Sequence, residues 1–230
     1  MNQPLSFIAL EQMRDDLVDS VHHFHADLQG QRTRPERTQI FQGTFTALKD
    51  FTPISRKGLR EIQKMKIAIE DDALDKIIKM DLSGLPALEA LVKANIMQHF
   101  GGINHTKMLL LFERACISFE QGDTDMALGL FMALLLLNPF IAALWFCIAR
   151  CFESKRDLQQ SMYAYAICQL LGKGNLFSAL DAAECLIAAG NIRLGKILLL
   201  EIKFDLDHSP NPSTQLKQRY QKLELALSHL

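Results

Sequence analysis

Five cysteines are the side chains best able to do chemistry in this sequence: Cys116, Cys147, Cys151, Cys168 and Cys185. Thiolates act as nucleophiles, exchange disulfides and ligate zinc. Their spacing here suits none of these roles. The number is odd and no CxxC pair occurs. Cys147 and Cys151 share a helix face at i and i+4, but two thiolates alone do not make a structural zinc site. Reduced, buried thiols are the expectation. His22, His23 and His25 lie together, yet no further ligands stand at suitable spacing, so a solvated or helix-capping role is expected for them. The sequence has no Gly-rich phosphate loop, no HExxH and no GxSxG. A non-enzyme is expected, with no catalytic residues, no cofactor and no metal.

The charges exclude another class. The 230 residues carry 25 Lys and Arg against 26 Asp and Glu. Both signs balance in each half of the chain, so the excess positive charge of a nucleic-acid binder is absent. One basic stretch stands out, with Arg56, Lys57, Arg60, Lys64 and Lys66. Glu70, Asp71, Asp72 and Asp75 answer it directly, so a solvated helix face is expected rather than an RNA-binding strip. The N-terminus lacks a basic stretch followed by an apolar core, and no secretory signal is read there.

The elements that position these residues emerge from an internal repeat. Shifting the chain on itself by 34 residues aligns Ala115, Ala149 and Ala183. Gly122-Asp123, Arg156-Asp157 and Gly190-Asn191 also align, as do Phe131, Tyr165 and Leu199. A period of 34 with this pattern resembles the tetratricopeptide repeat, a pair of antiparallel helices per unit. The units are 108–141, 142–175 and 176–205. The small residue lets two helices approach, while Trp145, Phe152, Phe131 and Tyr165 fill the space beside it. The Gly-Asp and Gly-Asn steps suit tight turns.

The apolar run MALGLFMALLLLNPFIAALWFCIA (126–149) takes its meaning from that register. A spanning helix kinked at Pro139 is the competing reading. The repeat instead divides the run into two helices, each too short to cross a bilayer, and direct membrane insertion is not expected. Pro139 cannot continue the helix before it, and Asn138 should be extended. The units then decay. Ser161 and Gly195 replace the alanine seen at Ala127, and Lys173 replaces Pro139.

The predicted fold is all-α: a tetratricopeptide-like helical solenoid of three repeats over 105–205. An N-terminal helical region (1–104) precedes it. A C-terminal capping helix (206–230) follows, with an apolar face of Leu216, Tyr220, Leu223, Leu225 and Leu227. In the N-terminal region, Leu10, Met13, Leu17, Val21, Phe24 and Leu28 form one stripe on a predicted helix over 5–28. That stripe can pack on the solenoid, pair with its copy in a homodimer, or dock a partner. Further helices are predicted over 36–50, 68–80 and 84–99, with GQRTRPERT (30–38) as a linker and a break at Gly101-Gly102.

A solenoid of this kind presents a concave surface lined by the first helix of each unit, and such surfaces bind extended peptides. The groove positions are read as Leu109, Phe112, Cys116 and Phe119 in the first unit. They are Ala143, Phe146, Arg150 and Glu153 in the second, and Phe177, Leu180, Glu184 and Ile187 in the third. Phe112, Phe146 and Leu180 are the expected pocket anchors; Arg150 and Glu184 would set register. Phe112, Cys116, Cys147, Phe177 and Asp181 occupy the places where some repeat adaptors clamp a carboxylate with Lys, Asn and Arg, so that clamp is absent.

LWFCIARCFE (144–153) and DAAECLIAAGNIRLGKILL (181–199) are similar to the second and third repeats of bacterial type III secretion chaperones that serve hydrophobic translocators. SFEQGDTDMALGLFMALLLLNP (118–139) fits the first-repeat pattern. AAECLIAAG (182–190) is the most specific piece, and the resemblance covers roughly 105–205. The resemblance implies a cytoplasmic, bacterial, non-enzymatic chaperone whose partner is a hydrophobic secreted translocator or another secretion-system protein. It departs at the front, where about a hundred residues precede the repeats. A scaffold or regulator acting through those N-terminal helices is the alternative reading.

Overall fold

Asn138 and Pro139 break the long apolar run as the sequence predicts. In the computed structural model, which describes residues 13, 54, 57–65, 104–171, 176–209 and 212–228, seven named helices lie beyond residue 104. They are α1 (His105–Glu120), α2 (Thr124–Leu137), α3 (Ala142–Ser154), α4 (Leu158–Leu171), α5 (Leu176–Ala188), α6 (Ile192–His208) and α7 (Thr214–Ser228). Residues 57–64 form a further helical segment. Among the described residues there is no strand. The predicted helices over 5–28, 36–50, 68–80 and 84–99 fall outside the described residues except for Met13. So do His22, His23, His25, the 30–38 linker, Arg56, Lys66, the acidic group at 70–75, Gly101-Gly102 and Lys173.

The helices form three successive hairpins, α1–α2, α3–α4 and α5–α6, each packed on the next, with α7 against α5 and α6. One turn geometry closes every hairpin. Gly122, Arg156 and Gly190, spaced by 34 residues, all adopt positive φ (85°, 60° and 81°). Their N–H groups donate to Phe119, Glu153 and Ile187 carbonyls at 2.9–3.0 Å. The next residue donates back to Ser118, Phe152 and Leu186 at 2.8–2.9 Å. This is a Schellman closure, which satisfies carbonyls left open at a helix end. The residue that closes one helix also starts the next: Asp123 accepts from Met126 N–H at 3.1 Å, and Asp157 from Gln160 N–H at 3.2 Å.

The connection between hairpins is different. Asn138 is extended (φ −149°, ψ 97°) and nearly fully buried, and its Oδ1 accepts the Phe140 N–H at 3.2 Å. The Trp145 indole N–H donates to the Pro139 carbonyl at 2.8 Å. A fully buried tryptophan thereby finds its polar partner, and a buried carbonyl finds its donor.

Every residue from Ala127 to Leu137 is buried. Such a helix needs cover on all sides. α1 and α3 flank it. The segment 57–64 also packs on it, with Gly58 laid against Gly129: a Cβ built on Gly58 would lie 1.7 Å from the Gly129 carbonyl oxygen. Leu59, Ile62 and Met13 are fully buried in the same core as α1–α4, so the core does not stop at the repeat boundary. The segment's opposite face carries Lys57, Arg60 and Lys64, all exposed, with Lys64 paired to Glu61 at 2.7 Å. That is the solvated face expected of the basic stretch. In α7, Leu216, Tyr220 and Leu227 are buried and Leu223 half-buried, but Leu225 is exposed. Leu225 stands two residues from Leu223, which turns it away from the packed face.

The two contacting glycines should respond oppositely to alanine. A Cβ at Gly129 meets only Gly58 atoms at 3.6 and 3.7 Å, ordinary contact. Gly129→Ala is expected to stabilise by about 0.5–1 kcal/mol, as for any interior helix glycine. Gly58→Ala should cost about 1–3 kcal/mol, because two backbones must separate. Thermal melts of the pair check this. In a second series, Arg156→Gly should raise the Tm by about 2 °C by relieving a left-handed residue. Gly122→Ala should lower it, although a Cβ there meets nothing within 4 Å.

Candidate protein-binding surface

The first helices of the hairpins are α1, α3 and α5, and the twelve expected groove residues lie on them. The structure separates these residues into two sets. Phe112, Cys116, Ala143 and Leu180 have no exposed surface, and Phe146 only 8%. Phe112 stacks edge-on against Phe131 of α2, centroids 5.5 Å apart. Phe146 does the same with Tyr165 of α4 at 6.1 Å. Leu180 joins Leu199 and Ile202 of α6 and Leu216 and Tyr220 of α7. The three expected pocket anchors are thus core residues. The reason is geometric: the second helix of each hairpin covers more of the first than the small-residue register implies, and α7 covers α5 from the far end. Leu109, Phe119, Phe177 and Ile187 are half-buried and remain the accessible apolar positions.

Arg150, Glu153 and Glu184 are half-buried too, but they are engaged. The Arg150 guanidinium donates to Glu153 at 3.1 Å, and the Tyr165 hydroxyl donates to the same carboxylate at 3.2 Å. On the next hairpin, Arg219 of α7 donates Nε–H to Glu184 at 3.2 Å and a terminal N–H to Glu184 at 2.9 Å. Arg219 also pairs with Asp181. The result is a polar strip shared by α3, α4, α5 and α7. Its charges act on one another. Burial alone would lower Arg150, but Tyr165, Asp181 and Glu153 outweigh it and hold the guanidinium up. Burial likewise opposes the charge on Arg219, which Glu184 and Asp181 raise. Asp181 moves upward: its burial exceeds the lowering effect of Arg219 and Arg150. Tyr165 is pushed well up by burial and by the Asp181 and Glu153 carboxylates.

The cysteines lie in the core rather than on this surface. All five are free and buried. Burial pushes Cys147, Cys151 and Cys185 up, so they remain protonated thiols. Cys185 donates to the Ser161 hydroxyl at 3.4 Å, and Ser161 donates to the Ala149 carbonyl at 2.9 Å. Ser161 thus holds the place of the repeat alanine by satisfying its own hydroxyl. Among the described residues, no group of three or more His, Cys, Asp or Glu is placed to hold a metal, and no helix is long and apolar enough to cross a membrane.

Sequence spacing did not reveal Arg219, which comes from 35 residues beyond Glu184. A trace of it was present. Asp181 and Glu184 share one face of an otherwise apolar helix, and a carboxylate buried there, as Asp181 is, requires a cation from elsewhere.

Two solved structures share this fold. The Yersinia enterocolitica type III secretion translocator chaperone SycD matches with a TM-score of 0.50 at 16% identity, over 58% of this chain and 96% of SycD. A chain of the CopN–Scc3 complex matches with a TM-score of 0.50 at 15% identity, over 75% of this chain and 95% of that one. No protein-family model and no curated protein matches the sequence. Over the matched part, the chain therefore shares the all-helical fold of SycD at very low sequence identity.

Arg219→Met leaves Asp181 buried without its cation. Between the about 1 kcal/mol of an exposed pair and the about 3–5 of a broken buried one, a loss of about 2 kcal/mol is expected at neutral pH. The sign with pH follows from the upward shift of Asp181. Its protonated form stabilises the fold below the unfolded value of 3.8, and that contribution is lost as pH rises through the raised value. The variant's deficit in denaturant melts should therefore narrow toward pH 4 and below. A deficit that does not change with pH would show that the Asp181 charge is not its cause.

Proposed function

We propose that this chain is a non-enzymatic chaperone of a bacterial type III secretion system, acting in the cytoplasm. It holds an extended segment of a hydrophobic translocator along α1, α3 and α5. The observation that carries this reading is the shared fold with SycD over nearly all of that chaperone's length. The local chemistry supports it. Leu109 and Phe119 on α1, and Phe177 and Ile187 on α5, offer half-buried apolar surface at the two ends of the array. The Arg150–Glu153–Tyr165 and Asp181–Glu184–Arg219 clusters lie between and beside them, with charges already ordered. Preordered side chains lose less freedom on binding. Each apolar anchor that a client buries is worth about 1.5–3 kcal/mol before ordering costs, so three or four give reversible affinity. The mechanism is masking: a partner with membrane-inserting segments aggregates unless its apolar surface is covered.

The alternative, a scaffold acting through residues 1–104, cannot be tested by deleting them. Deletion would strip Met13, Leu59 and Ile62 from the core and uncover α2. Point substitutions on the accessible positions are the clean experiment. Co-expression with a hydrophobic translocator of the same organism's type III secretion system should give a soluble complex. Phe119→Glu and Phe177→Glu should each weaken it by about tenfold or more, with helicity kept and the melt still well above the assay temperature despite the lost packing. Normal binding by both variants, or a translocator left insoluble by the unaltered chain, would sink the proposal.

A further inference from the structure

The repeat register does not stop at the third hairpin. α7 continues it as a first helix. Ile148, Ala182 and Leu216 stand at the repeat spacing, and all three are buried. Phe152, Leu186 and Tyr220 stand at the same spacing and are buried or half-buried.

The contacts between first helices continue too. Arg150 of α3 and Glu184 of α5 hold the same place in successive units. Arg150 acts on the Asp181 carboxylate of the next first helix, α5. Glu184 in turn accepts from Arg219 of α7, at 2.9 and 3.2 Å. α7 thus follows α5 on the side on which α5 follows α3. The place of Arg150 and Glu184 falls on it to Gln218, and that of Glu153 and Ile187 to Gln221. Both glutamines are exposed.

The chemistry of this row differs from the others. The outer units present Leu109 and Phe119, then Phe177 and Ile187, as half-buried apolar surface. The middle unit presents Arg150 paired with Glu153. Gln218 and Gln221 present two carboxamides, each with donors and an acceptor and no charge. A carboxamide can meet the N–H and the C=O of a peptide group at once. An extended segment offers such groups along its whole length, whatever its side chains.

We propose that α7 supplies a fourth row of the client groove, in which Gln218 and Gln221 hydrogen-bond the main chain of the bound segment beyond the Phe177 and Ile187 anchors. The inference rests on reading the groove as the client site. Neighbouring helices pack about 8–10 Å apart, and an extended chain advances about 3.3 Å per residue. The row therefore lengthens the client footprint by about three residues. It reads backbone, so it adds affinity with little demand on the client's sequence there.

The test uses the full chain and a hydrophobic translocator of the same secretion system. Gln218→Ala with Gln221→Ala should weaken the complex about three- to tenfold, with an unchanged melt because both side chains are exposed. A photo-crosslinking residue in place of Gln218 should capture the translocator more strongly than one in place of Glu201, which is exposed on α6. The fourth row is wrong if the double variant binds as tightly as the unaltered chain while Phe177→Glu weakens the complex. Capture no stronger at 218 than at 201 also overturns it. In both cases the groove reading survives. No complex with the unaltered chain overturns both.

Discussion

A helix buried on every side has to be enclosed, and α2 is that helix. From Ala127 to Leu137 every residue is buried, so more apolar surface is removed from water there than one neighbour can cover. Much of the surrounding arrangement meets this demand. α1 covers one side of α2 and α3 another, and the segment at 57–64 lies against it with Gly58 on Gly129. An apolar sequence that could be taken for a membrane segment is therefore the interior of a helical stack. The N-terminal hundred residues contribute to that interior through Met13, Leu59 and Ile62.

Enclosure works only if the chain reverses at the right places with its polar backbone satisfied. The three hairpin turns achieve this with one left-handed residue each and two backbone hydrogen bonds. Arg156 occupies a position that its two counterparts fill with glycine, so the second turn carries strain that the others lack. The corner between the first two hairpins uses side chains instead. Asn138 caps its own turn, and Trp145 reaches back to the Pro139 carbonyl. Tight packing and complete hydrogen bonding are thus met by the same residues, which leaves few substitutions free there.

The apolar surface left exposed is what remains after that enclosure. Apolar side chains escape burial on α1 and α5 and along the outer face of α6. Between α1 and the cap, Arg150, Glu153, Tyr165, Asp181, Glu184 and Arg219 form a polar strip with internal partners. Such a strip fixes α7 on α5 and orders its charges within the chain. The cost is a carboxylate, Asp181, kept where burial resists its charge.

Local chemistry was legible in the residues themselves. Helical periodicity, the break at Asn138-Pro139, the turn residues at a spacing of 34 and the apolar face of α7 depend on neighbours a few positions apart, and each had a physical signature. The all-helical repeat fold followed from them. Burial of Phe112, Phe146 and Leu180 did not, because a helix wheel shows which residues share a face and not how far the next helix covers it. Gly58 against Gly129 and Arg219 against Asp181 join segments dozens of residues apart, and no spacing rule encodes such a meeting. The exposure of Leu200 and Phe204 was equally hidden: an apolar residue reads the same whether a neighbour covers it or water does. The sequence by itself determined where the chain turns and which elements form, since those energies are local. Only the tertiary structure decided which apolar faces were left exposed, since that depends on how the helices pack on one another.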